Sequence, residues 1–132
     1  ELAAYSLIET LFEHSELRDA VVYEPSARRE VPVELGHKDT TGYFGVYLNK
    51  PSWWFARLVI DAKTSWIGFD LETDEARPLI PQSAVVLSPS PWARFRVSIK
   101  EPEDINALKS LLHYAIVKVI KNRGGQVPVT KA

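Results

Sequence analysis

The tryptophans and arginines of this 132-residue chain are the side chains whose types and spacing could do recognition chemistry. From Trp92 to Ile99 the chain alternates, with Ala93, Phe95, Val97 and Ile99 on one side and Trp92, Arg94 and Arg96 on the other. A half-buried strand has this period, so Trp92, Arg94 and Arg96 are expected on an outer face. The same rule puts Trp66 on the outer face of its own strand, and Trp53, Phe55 and Arg57 can join it. Rings interleaved with guanidinium groups suit single-stranded nucleic acid or an aromatic ligand. They equally suit a protein interface, where Trp and Arg are favoured anchors. The plainer reading is that the N-terminal helix or the proline-rich loop covers these tryptophans as a second small core.

Other chemistry is thinly represented. The chain has no cysteine, which excludes disulfides, thiolate metal sites and cysteine nucleophiles. His14, His37 and His113 are far apart and lack ligand spacing. His113 sits beside an apolar stripe, where it could pair with an acid and act as a base, or simply mark a boundary. Ser6, Ser65 and Ser110 lack a nucleophile-elbow setting, and no glycine-rich phosphate loop is present. Arg28-Arg29 could touch phosphate, or be a solvated loop. No cofactor is expected.

Val59-Ile60-Asp61-Ala62-Lys63 places an acid, one residue and a lysine at the end of a strand. This five-residue stretch resembles the motif of the PD-(D/E)xK nuclease superfamily. The resemblance implies a divalent metal on Asp61, a water positioned or activated by Lys63, and an upstream acidic ligand such as Asp39 or Glu34. In that superfamily a helix soon follows the motif, whereas here the next segment reads as a strand. Read as local chemistry, 61–64 is a polar hairpin turn.

These side chains need a scaffold. Hydrophobic residues make up 45% and charged residues 25%, an ordinary globular composition, and the length suits one domain. The formal net charge of −1 supplies no global field for nucleic acid, so such binding needs a local patch. No apolar run approaches a membrane span and no signal-peptide pattern opens the chain. With cysteine absent, a reducing, cytoplasmic setting is expected. The lack of any methionine, and an opening that reads as mid-helix, lead us to expect a domain from a longer protein, with its other domains as partners.

Periodicity predicts a helix over 2–17, with Ala4, Ile8, Leu11 and Phe12 on one face. Strands are expected at 20–23, weakly at 31–33, then at 43–48, 53–60 and 65–71, with a short one at 84–87 and the last at 92–99. A loop is expected from Gly36 to Gly42. A final helix starts at Pro102, with acids at its start, Lys118, Lys121 and Arg123 at its end, and Gly124 as cap. Ile105, Leu108, Leu112, Ala115, Ile116 and Val119 make its core-facing stripe. Residues 125–132 read as a loose tail. The expected fold is α+β: a curved antiparallel meander flanked by two terminal helices. The wide stripe of the last helix could instead pack against a twin, making a homodimer.

The hairpin from Phe55 to Leu71, the strand Phe95 to Ile99, and Glu101-Pro102-Glu103-Asp104-Ile105 leading into a helix with Leu108, Leu112, Tyr114 and Ala115 together resemble the YjbR/MmcQ-like and related "predicted transport protein" bacterial domains. The resemblance covers about the last 80 residues. It implies DNA binding through the sheet and its loops. The absent catalytic set, the missing methionine and the Trp/Arg face lead us to expect a non-catalytic binding or interaction domain, with the metal-dependent nuclease and an oligomerisation module as alternatives.

Overall fold

A computed structural model describes residues 2–60 and 63–127. The architecture is α+β, with the two terminal helices on an antiparallel sheet. Helix α1 spans Leu2–Glu13 and buries Ala4, Ile8 and Phe12, one residue per turn along a single stripe. It ends before His14, and a 3-10 turn at Glu16–Asp19 follows, capped by the Ser15 hydroxyl on the Leu17 N–H. Strands β1 (Val21–Glu24) and β2 (Arg29–Pro32) form a separate two-stranded ribbon.

The main sheet contains β3 (Leu35–Asp39), β4 (Phe44–Leu48), β5 (Trp54–Val59), β6 (Ser65–Phe69), β7 (Val86–Leu87) and β8 (Phe95–Ile99). Its order is β3-β4-β5-β6-β8-β7, so a meander is extended by a hairpin whose second strand lies inside its first. The expected loop from Gly36 onward is strand β3 in its first half. Asn49, in a left-handed turn with φ 61°, clamps its start: the side chain accepts from the Glu34 N–H and donates to the Pro32 carbonyl. Backbone pairing with β4 then suffices, and an edge strand tolerates Lys38 and Asp39.

Register assigns the faces. Phe44, Leu58, Ile67, Val97 and Val86 stand in one row, and Phe44, Leu58, Ile67 and Val97 are at most 2% exposed. That inner face is covered by α1, a 3-10 run at Pro102–Leu108, and helix α3 (Lys109–Asn122). The expected continuous final helix therefore opens as a tighter 3-10 segment. Asp104 reaches back to the N–H groups of Lys100 and Glu101, and these bonds hold its carboxyl below the usual range. Leu111, Leu112, Ala115, Ile116 and Ile120 of α3 are buried in the same core. The centre of the stripe is thus packed against the sheet, while Val117 and Val119 are half-buried. Gly124, at φ 65°, closes the helix as predicted. The start of the tail is not loose: Gln126 bridges Val21 of β1 through N–H and C=O.

Segment 72–85 carries the short helix α2 (Thr73–Ala76) and a 3-10 turn at Arg77–Leu79. It is fastened to α3 by Glu75. That carboxylate accepts from Lys118 Nζ at 2.8 and 3.0 Å and from Tyr114 Oη at 2.6 Å. The Lys118 ammonium, the Tyr114 hydroxyl and the Glu72 N–H hold its pKa down to about 2. A depressed acid stabilises the fold above the ordinary carboxylate range, and the gain is lost as pH falls toward 2. Glu75→Gln is therefore expected to lower unfolding stability by about 1–2 kcal/mol at neutral pH. In urea titrations that difference should shrink between about pH 5 and pH 2.

Candidate nucleic-acid interface

The outer face of the sheet is organised by one row that crosses all its strands. Lys38, Gly45, Arg57, Gly68, Arg96 and Leu87 stand side by side in register. Cations on β3, β5 and β8 alternate with glycines on β4 and β6, so they recur roughly every 9–10 Å. The loop 88–94 leaves the sheet edge at β7 and folds back over this row. Arg96 Nε donates to the Ser88 carbonyl at 2.8 Å, and Arg57 Nη1 donates to the Trp92 carbonyl at 2.7 Å. Gly68 makes room for the crossing: a Cβ there would overlap the Ala93 methyl and the Trp66 ring.

Arg57 is the centre of the arrangement. Its guanidinium lies 3.8 Å from the Trp54 ring centroid and 4.3 Å from that of Tyr43. Planar Arg can be stacked on both faces in a way that Lys cannot. Its Nε is buried without a hydrogen-bond partner, a cost of clamping the plane between two rings. Trp92 continues the series, 6.0 Å from Tyr43, and its ring lies across Gly42. Trp92 is 44% exposed.

The expected site residues therefore separate. Arg57, Trp66, Trp92 and Arg96 lie on the outer side, while Arg94, just before β8, lines a cleft with Trp54, Asp70 and Ala115, Lys118 and Val119 of α3. Trp66, however, is 4% exposed, packed near Ala93 with the Arg96 guanidinium 5.0 Å above its ring. Part of this face is thus the small second core that a covering proline-rich loop implies. Arg94 is held by carboxylates: Nε bonds Asp70 Oδ1 at 2.8 Å and Nη1 bonds Glu72. Trp53 is elsewhere. It is buried in the main core with Lys50 and Arg123 each about 5 Å from its ring centroid. Phe55 is buried in the same core. Trp54 and Tyr43 are the members that sequence reasoning missed. Between Val46↔Ala56 and Tyr47↔Trp54 the register shifts, a β-bulge that leaves Phe55 without a direct partner. The bulge breaks the alternation that would have grouped Trp53 with Arg57.

The other candidates resolve more simply. Asp61 lies outside the described residues. Asp39 ends β3 in the row Asp39, Phe44, Leu58, at the end of the sheet where β5 finishes. Among the described residues no group of three or more His, Cys, Asp or Glu is placed to hold a metal ion. His113 does meet an acid, Glu16, at 3.0 Å. His113 borders a cleft of about 550 Å³ between α1 and α3. Its floor is Ile8, Phe12, Leu112 and Ile116, at most 4% exposed, and its rim is Thr10, His14, Lys109 and Ser110. Among the described residues, no helix is long and apolar enough to cross a membrane.

Comparison of the chain with protein-family models, curated proteins and solved structures finds no match.

Two substitutions test the clamp. Arg57→Lys should release Trp92, raising the acrylamide quenching of tryptophan emission and costing about 1–2 kcal/mol in stability. Gly68→Ala should force the 88–94 loop off the sheet and destabilise by about 1–3 kcal/mol, read from denaturant unfolding.

Proposed function

We propose that this chain is a non-catalytic binding module that takes single-stranded nucleic acid on the outer face of its sheet. The observation that carries the reading is the exposed Trp92 ring, held rigid beside Tyr43 by a bond from Arg57 to its own carbonyl. Bases freed from a duplex stack on aromatic rings presented by a sheet, and such stacking tolerates any sequence. Lys38, on the same row and exposed at the β3 edge, adds a positive charge for phosphate. Arg94 is neutralised by Asp70 and Glu72, so stacking rather than charge supplies most of the affinity. The resemblance of the last 80 residues to YjbR/MmcQ-like domains leans the same way.

Tryptophan emission should be quenched on titration with an oligothymidylate of about 12 nucleotides at low salt. Trp92→Ala should weaken binding about 5- to 100-fold, the worth of one stacked base. Lys38→Ala should reduce the salt slope by roughly 0.7 per lost phosphate contact. A flat titration, or an affinity untouched by Trp92→Ala, overturns the reading and returns the face to a protein partner.

A further inference from the structure

The sheet has two edges, and they differ in character. Edge strand β3 carries His37, Lys38 and Asp39, the charged and polar side chains that discourage strand addition. Edge strand β7 is short, Val86–Leu87, and lies between Pro81 and Pro89, but it carries no charged side chain. Residues 81–93, Pro-Gln-Ser-Ala-Val-Val-Leu-Ser-Pro-Ser-Pro-Trp-Ala, contain no charge. Among the described residues the exposed large hydrophobic side chains are Leu2, Tyr23, Val85, Val86 and Trp92, and the last three fall in this segment. Val85 is 59% and Val86 is 36% exposed. Beneath the edge, a cleft of about 290 Å³ has an apolar wall of Val85, Val97, Ile99 and Leu108, with Lys100 and Asp104 also lining it.

We propose that β7 is a dimerisation edge that pairs antiparallel with β7 of a second copy of this chain, about a two-fold axis at Val86. The free hydrogen-bonding groups are self-complementary. Ser98 N–H bonds the Val85 carbonyl, while Val86 faces Val97 directly. In an antiparallel ladder this turns the N–H and C=O of Val86 away from β8, toward the open edge. Two Val86 residues related by the axis satisfy each other. The next such pair matches Ala84 with Ser88 of the second copy. The Ala84 N–H is already used by the Pro81 carbonyl, and the Ser88 carbonyl by Arg96. What remains is the Ala84 carbonyl and the Ser88 N–H, an acceptor and a donor that meet across the axis.

The side chains agree with this register. Val86 meets Val86 on the inner side, and Val85 meets Leu87 on the outer side, so apolar groups pair throughout. No like charges oppose, since the segment has none. A second copy fits because the segment is uncharged and apolar, so it meets itself without opposed charge while the outward groups of Val86 pair under one two-fold operation. A contact this short is small, so the dimer is weak and concentration-dependent. The pairing uses residues 84–88 and does not use Trp92, which lies further along the same segment in the proposed nucleic-acid site.

Sedimentation velocity of the full chain from about 10 µM to about 1 mM should show a rising weight-average coefficient, the range where a weak interface acts. Val86→Pro removes the outward N–H and leaves the β7–β8 ladder intact, since an edge position accepts proline. It should weaken association at least about tenfold with unchanged far-UV dichroism. Val85→Lys, at a position already exposed, should do the same and decides the matter if the proline variant folds poorly. In NMR spectra, the Val86 and Ser88 amides should shift with concentration, and those of Leu35, His37 and Asp39 should not. A strict monomer across the range, or association undiminished by either folded variant, overturns the proposal.

Discussion

Arg57 is the constraint on which the outer half of this structure depends. One planar cation is stacked between Trp54 and Tyr43 while its Nη1 grips the carbonyl of Trp92. The chain must leave β7, cross β6 above Gly68 and reach the β3–β4 turn at Gly42 for that bond to form. Arg96 pins the same loop at its other end through Ser88. Two cations of one row thus convert an uncharged, proline-rich loop into a fixed lid that buries Trp66 and displays Trp92. The glycines between the cations are part of the same device, because a side chain at Gly68 would occupy the path of the lid.

The inner face solves a different problem. Strands β4, β5, β6 and β8 present a continuous apolar row to α1, the 3-10 run and α3. Polar staples then fix the periphery. Glu75 ties α2 to Lys118 and Tyr114 of α3. Glu24, held to a pKa of about 2 by the Ser26 hydroxyl and by Lys50, ties the β1–β2 ribbon to the β4–β5 turn. Stability therefore lies on one side of the sheet and display on the other. Each strand contributes to both, since alternate side chains face opposite ways.

The legible parts of the chain were those with clean periodicity. The stripe at Ala4, Ile8 and Phe12, the alternation through Phe95–Ile99, and the final helix from Lys109 to its Gly124 cap read directly into structure, while the Pro102 start of that helix is a 3-10 run. Strand β3 was hidden because an edge strand held by backbone pairing needs no apolar alternation. The site was half legible. Trp92, Arg96 and Arg57 were expected on one face, but identical residue types have opposite fates: Trp53 is core, Trp66 is covered, and Trp92 is open. The bulge at Phe55 is a matter of register, which a single strand's pattern does not carry. The partners that neutralise Arg94 come from the turn after β6, a long-range pairing with no local signal. The short strand expected at 84–87 is there as β7, but its place at the edge of the sheet required the strand order.

The central claim is that Arg57 presents Trp92 as the working surface of the outer face. Fluorine NMR of the protein labelled with 5-fluorotryptophan tests it most directly, with Trp92 assigned by Trp92→Phe. On addition of a single-stranded oligonucleotide, the Trp92 resonance should shift while that of Trp53, buried on the other side of the sheet, stays in place. Movement of Trp53 with Trp92 unmoved, or no movement in any tryptophan resonance, would contradict it.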